Sequence, residues 1–427
     1  MEHMEKPLTG KDNRHNYNCY AADCIFFNVG NAFFEPNSII PAFLSQLTDS
    51  NILIGLSSTI RNCGWFLPQL FVANYVQGMA RKKPLGIICF ALMRFSAGAL
   101  AITAFLLAGK HPSAALLIFY LFYIVFSFAD GFSGVPWVDI MGKTIPPGQR
   151  GRLLATSQFI GGGLAFGAGF FIKGILESPK LTFPINYGII FLTGFIALLV
   201  SFVSFSLVKE PPSRINGKKM GYKEYFRLVL DIFLRDRNFA RVIGVSFMTR
   251  AMFLSFPFYV IFARNVLMFP QDIVGYFVSA QMIGYLISSH IWGYLSDNLS
   301  NKRVITLTGV SAAATPCLAL IAAASFNLGI DSMLIPIYLL LYISIGFTIT
   351  GMWTGYNNYL LEITGDENRA VYVGLYNTMG TPATFFPLLG GFIIQHFSYV
   401  YVFLFTAIII SVGTFFSTFL KDRADEE

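Results

Sequence analysis

Charge is what this sequence has least of. Only 12% of its 427 residues are Asp, Glu, Lys or Arg, against 55% that are hydrophobic. A soluble chain could not hide that much apolar surface, which excludes an ordinary globular domain and points to a polytopic, all-α membrane protein. Catalytic and metal-binding constellations are missing as well. The five cysteines, Cys19, Cys24, Cys63, Cys89 and Cys317, show no metal-ligand spacing. Most fall in apolar stretches, where Cys packs as a small hydrophobe, so no disulfide framework is expected. The histidines His3, His15, His111, His290 and His396 are scattered, and no Ser, His and acid combination stands out. A glycine-rich ATP-binding loop is absent. The polar opening Met1 to Asn18 lacks the apolar core of a cleavable signal peptide. No enzyme activity, cofactor or metal is called for.

What is present is a series of apolar runs. At roughly 20 residues per crossing the length fits about twelve helices. The first six are read at residues 19–44, 52–79, 84–108, 113–141, 152–176 and 184–208. The second six are read at 242–267, 272–296, 304–326, 333–361, 369–397 and 399–420. Residues 1–18 and 421–427 are tails. Residues 209–241 form a basic linker, in which Tyr222, Tyr225, Phe226, Val229, Leu230 and Phe233 recur at helical spacing. That spacing predicts an amphipathic helix at the inner leaflet, with a calmodulin-binding helix the weaker reading. The net charge of +7 is explained by placement rather than by nucleic acid. Lys110, Lys180 and Arg264 fall on the outer side, and Arg61, Arg94, Lys173 and Arg250 fall within crossings. All other Lys and Arg fall on one side, which places both termini in the cytoplasm of a cell-membrane protein.

The two sets of six resemble each other. Lys82 falls on Lys302 and Lys83 on Arg303 at an offset of 220 residues, which also lays Gly55 on Gly275, Gly64 on Gly284, Trp65 on Tyr285 and Gly131 on Gly351. At 219, Arg150 falls on Arg369, Gln158 on Asn377 and Gly161 on Gly380. A near-constant offset over most of a half marks a parallel duplication. The turn Gly293-Tyr294-Leu295-Ser296-Asp297-Asn298-Leu299-Ser300-Asn301-Lys302-Arg303 resembles the loop signature G-x-L-x-D-x-x-x-x-[KR]-[KR] of the major facilitator superfamily. In the first copy Gln77 stands where Asp297 does. Pro146 to Gly151 and then Gln158 resemble the P-x-x-x-R-G of that superfamily's sugar porters, with Lys143 in place of their acidic residue.

The resemblance implies two pseudo-symmetric six-helix halves around a hydrated cavity, and alternating access of a small organic solute. It implies a cavity wall of Asn28, Asn31, Glu35, Trp137, Gln158, Arg250, Phe253, Tyr259, Gln281, Trp353, Tyr356, Asn357 and Asn377. A cytoplasmic gate would use Asp139, Arg150, Gly293, Asp297, Lys302, Arg303 and Arg369. Ionisable residues inside crossings cost at least ~2.5–3.5 kcal/mol each at a helix centre, so each needs a partner or water. Glu35, before Pro36, is a candidate proton carrier or the partner of Arg61 or Arg94. Asp130 is expected to pair with Arg94, or else to carry the coupling proton as Glu35 would. Arg250 is expected to contact an anionic substrate or a carboxylate such as Glu35, or else to snorkel to the surface. Lys173 is expected to reach the outer surface, and His290 to pack. The partners expected are a small-molecule substrate, H+ and the bilayer, with the chain a monomer. An exporter of amphipathic drugs or lipids with the same fold is the alternative, and a membrane-embedded enzyme the more distant one.

Overall fold

The computed structural model describes residues 10–76, 79–212, 236–364 and 369–421, and every regular element among them is helical. The helices are α1 (Gly10–Ala32), α2 (Ile39–Leu44), α3 (Asn51–Val76), α4 (Lys83–Leu106), α5 (Pro112–Thr144), α6 (Pro147–Glu177) and α7 (Ile185–Ser206), then α8 (Arg237–Thr249), α9 (Phe258–Asn265), α10 (Ile273–Asn298), α11 (Asn301–Asn327), α12 (Leu334–Ile363), α13 (Arg369–Gly380), α14 (Phe386–His396) and α15 (Tyr399–Ser417). With α1–α2, α8–α9 and α13–α14 each joined across a short break, they make twelve crossings. Eight helical segments are long and apolar enough to cross a membrane. The other four crossings, α1–α2, α3, α10 and α13–α14, are the more polar or the interrupted ones.

The breaks correct the sequence reading, which drew each of these crossings as one helix. The first begins earlier, at Gly10, and stops at Ala32. Pro36 lacks an N–H and disfavours helix in the residue before it, so the chain turns over residues 33–38 before α2. The seventh begins at Arg237, where the Asp236 carboxylate accepts from Phe239 N (2.9 Å) as a helix cap, so Arg237 and Arg241 belong to the helix and not to the linker. It tightens into a 3-10 turn at Arg250–Leu254 before Pro257. Pro257 lies 221 positions after Pro36, so the duplication carries both breaks. The eleventh is interrupted by the 3-10 turn Thr381–Phe385. The amphipathic segment expected at 222–234 lies outside the described residues.

Two compact units divide the chain: Met1–Glu35 with Ile60–Lys219, and Pro36–Thr59 with Met220–Glu427. In the first, α1 packs on α6 and α7, and α4 on α5 and α7. In the second, α12 packs on α10 and α11, and α15 on α11 and α8. Residues 36–59 group with the second unit, not with the six-helix half in which the sequence places them. Side-chain-free contacts bring them there: a Cβ on Gly55 would fall on the Pro387 carbonyl, and one on Gly391 on the Asn51 carbonyl. Asn51 N donates to Gln395 Oε1 (2.9 Å), and Tyr399 OH donates to Asn51 Oδ1 (3.2 Å).

Lipid and core faces are both apolar, as a membrane helix requires. On α4, Ile88, Leu92, Phe95, Ile102 and Leu106 are exposed, while Phe90, Met93, Ala97, Leu100 and Ala104 are buried. In the first unit α1 is tied to the segment after α7, and in the second α8 to the segment after α15. Asn16 Nδ2 donates to Lys209 O (3.0 Å) and Lys209 N donates back to Asn16 Oδ1 (2.8 Å). Lys421 N donates to Asn238 Oδ1 (3.2 Å), and Asn238 Nδ2 donates to Tyr359 OH, which donates to Lys421 O.

Candidate functional site

The first unit concentrates its intramembrane charge where two helices cross without side chains. A Cβ on Gly131 of α5 would fall on the Gly64 carbonyl of α3. Arg61 stands one turn before Gly64, and Asp130 immediately before Gly131, so the crossing sets them face to face. Arg61 Nη2 lies 2.7 Å from Asp130 Oδ2, with Asp130 only 3% exposed. The guanidinium also lies over the Phe126 ring at 5.4 Å. Phe126 packs against Phe34, and Tyr123 stacks on Phe126. Glu35, next to Phe34 in the break, is 7% exposed, and its charge acts on Arg61 and Tyr123. Glu35, Arg61 and Asp130 thus form one cluster. Asp130 pairs with Arg61, not with Arg94 as the sequence suggested.

Arg94 belongs to a second network, built on an acid that sequence reasoning passed over. Asp23, in the interior of α1, is 3% exposed. Its carboxylate accepts from Trp137 Nε1 (2.8 Å) and from Ser201 Oγ (2.6 Å). Arg94 Nη2 donates to the same hydroxyl (2.9 Å), and its guanidinium lies over Phe90 (4.3 Å). Four helices, α1, α4, α5 and α7, therefore meet at one buried aspartate.

In the second unit Arg250 is held and buried, at 3% exposure, rather than snorkelling. It opens the 3-10 turn after α8. Its Nε donates to Ser246 Oγ (3.3 Å), its guanidinium lies over the Tyr376 ring (5.1 Å), and it fills the space a Cβ on Gly380 would need, 2.7 Å from Cζ. Tyr376 OH accepts from Ser246 (3.1 Å) and Tyr356 OH bonds Thr249 (2.9 Å).

Other expected wall residues divide between packing and exposure. Asn28 Nδ2 donates to Cys24 O and to Gln158 Oε1 (3.3 Å), and Asn31 to Phe27 O. Tyr259 is fully buried, bonded to Ser255 and stacked on Phe403. Gln281 is fully buried and donates to Tyr285 OH (3.4 Å). Phe253 meets Phe256 edge-on. Trp353 is 66% exposed, and its carbonyl accepts from Asn357. Asn377 offers its carbonyl to Thr381. Lys173 pairs with Glu177 (2.6 Å) at the end of α6, and the exposed His290 bonds Leu286 O of its own helix through Nδ1.

At the loop end of the first unit Glu210, unremarked in the sequence reading, caps α4. It accepts from the backbone N–H groups of Lys82 (2.9 Å) and Lys83 (2.8 Å) and from Lys143 Nζ (3.0 Å). A carboxylate there is favoured by the positive end of the helix dipole. Asp139 bridges Lys82 (2.6 Å) and Lys143 (2.9 Å). Arg150 donates to the carbonyls of Ile145 and Gly142. The second unit answers with amides: Asn301 Nδ2 donates to Glu362 (2.9 Å), and Ser296 Oγ to Asn301. There Asp297 is exposed, a Cβ on Gly293 would meet nothing within 4 Å, and the backbone N–H of Arg303, next to Lys302, is capped by Ser300. The Arg369 side chain lies outside the described residues.

Residues 242–427 match the family model of the Major Facilitator Superfamily. No curated protein matches the chain by sequence. Solved transporters share its fold along nearly the whole length. A D-xylose-proton symporter is 15% identical over 95% of this chain and 97% of its own, with a TM-score of 0.69. The xylose transporter XylE from E. coli, partially occluded and inward open, is 13% identical over 97% of this chain and 99% of its own, at 0.68. A mutant of nucleoside transporter NupG is 13% identical over 95% of this chain and 100% of its own, also at 0.69. Residues 242–427 thus match the Major Facilitator Superfamily in sequence, and the whole length shares the fold of solved membrane transporters.

Proposed function

We propose that the chain is a monomeric secondary transporter of the cell membrane. It moves a small organic solute by alternating access of its two six-helix halves, and it draws on a proton gradient through the cluster of Glu35, Arg61 and Asp130. The observation that carries this reading is the buried Glu35, set at a helix break beside an ion pair. An ionisable residue inside a crossing, set beside a second acid and a guanidinium, is placed where a transported proton could be held. Within the described bundle of the first unit, three acids, Asp23, Glu35 and Asp130, and Arg94 are buried, and the Arg61 side chain is 18% exposed. One bound proton would balance that set. In the first unit Asn28, Asn31, Trp137 and Gln158, and in the second, taken by itself, Arg250, Asn357 and Asn377, are the candidates for contact with a polar or anionic solute. Both termini, the Lys82–Asp139 bridge and the gate residues Arg150, Gly293, Asp297, Lys302, Arg303 and Arg369 would face the cytoplasm. The solved neighbours named for a pentose and a nucleoside support a hydrophilic metabolite over a lipid.

Purified protein in liposomes, screened by counterflow and repeated with an imposed pH gradient, tests the reading. Glu35→Gln is expected to abolish gradient-driven uptake and to spare exchange. Gradient-driven uptake by that variant at the native rate removes Glu35 from the coupling.

A further inference from the structure

On the reading of the chain as a proton-coupled carrier, we propose that Asp23 is a second proton-binding residue and that the Trp137 indole reports its protonation to the solute path. Asp23 and Arg94 are an acid and a base buried in one bundle, yet a hydroxyl stands between them. Arg94 Nη2 donates to Ser201 Oγ, and Ser201 donates to Asp23 Oδ1. The guanidinium is poorly served for so buried a group. Its Nε reaches Leu198 O at 3.4 Å and its Nη1 only the Met93 thioether. A network built only for strength would close the ion pair directly, with bidentate geometry.

The other oxygen of Asp23 accepts from Trp137. Trp137 is half-buried on α5, so part of the residue is reachable while its N–H is committed to the acid. A proton added to the carboxylate becomes an O–H donor. Ser201 would then accept where it now donates, and the bond from the indole N–H would lose its charged acceptor and about half its strength. The indole is then released to turn or to bind a solute. The titratable groups that face this site are Tyr20 and Cys24 on α1 and Arg94 on α4, with Asp130 of α5 acting on Arg94. Ser201 is the contribution of α7. The ionisable side chains of α6, Arg150, Arg152, Lys173 and Glu177, stand in its first and last two turns.

The test needs no solute. Full-length protein labelled with 5-fluorotryptophan is titrated with acid and base in detergent, and the Trp137 resonance is assigned by its loss in Trp137→Phe. The expected result is one pH-dependent shift of that resonance. The shift vanishes in Asp23→Asn, survives in Asp23→Glu, changes midpoint in Ser201→Ala and is unmoved in Glu35→Gln. A Trp137 resonance that does not move with pH, or that moves equally in Asp23→Asn, overturns the proposal. If Asp23→Asn does not fold, the double variant Asp23→Asn/Arg94→Gln removes both charges, and persistence of the shift in it is equally fatal. Loss of the shift in Asp23→Asn, with gradient-driven uptake by Glu35→Gln at the native rate, would sink the Glu35 reading and leave this one standing.

Discussion

Arg61 and Asp130 each make the other tolerable inside the bundle. Leaving one charge buried alone costs about 3–5 kcal/mol, whereas replacing both charges at once is often near neutral. Asp130→Asn and Arg61→Gln are therefore expected to lower thermal stability in detergent strongly, and the double variant to recover most of the loss. Three variants with equal midpoints would show that the pair is a by-product of the fold. The sequence exposed these residues but not their partners. Depth along a helix is legible by counting from its start, and the start of the first helix was set too late. Counted from Cys19, Asp23 sits in the first turn, where an acid is unremarkable. Counted from Gly10 it lies 13 residues in, ~20 Å along the axis, and demands a function.

At the scale of the helix, glycine decides which crossings are possible. A Cβ on Gly131 would strike the Gly64 backbone, which cannot yield, whereas a Cβ on Gly134 would meet only the edge of Trp65 at 3.8 Å, and on Gly163 nothing within 4 Å. Gly131→Ala is expected to cost about 1–3 kcal/mol by overpacking, and to loosen the Arg61–Asp130 pair with it. Gly134→Ala and Gly163→Ala are expected to match the native protein in thermal midpoint and expression. A tolerated Gly131→Ala alongside a damaging Gly163→Ala would mean that α3 and α5 do not cross as described. This level was legible in part. The 220-residue offset lays Gly64 on Gly284, which also sits at a backbone crossing, but its partner there is Gly346. Gly351, laid on Gly131 by the same offset, meets the Thr308 side chain. The three helix breaks were not legible. Proline inside a membrane helix is often absorbed as a kink, as Pro68, Pro136 and Pro316 are absorbed here, so Pro36 and Pro257 did not declare themselves.

For the molecule as a whole, the copy kept geometry and let chemistry drift. Arg61 of the first copy is Gln281 in the second, and the Lys82–Asp139–Lys143–Glu210 cluster of charges is answered by Ser296, Asn301 and Glu362. The asparagine closure persists in both, as Asn16 on Lys209 and Asn238 on Lys421. A parallel repeat of six crossings, as proposed, would put equivalent ends on one face of the bilayer, so both closures and both basic loops would share a side. On the proposed topology, the excess of Lys and Arg there would make it the cytoplasmic side. Single cysteines in a background without the native five test this directly. Lys110→Cys, in the α4–α5 loop, and Gly329→Cys, before α12, are expected to react with a membrane-impermeant thiol reagent in intact cells. Arg81→Cys and Lys302→Cys are expected to react only after permeabilisation. Labelling of Arg81→Cys from one face and of Lys302→Cys from the other would require an odd number of crossings between them. Two parallel six-helix halves could not then account for the fold, because the second copy would be inverted in the membrane.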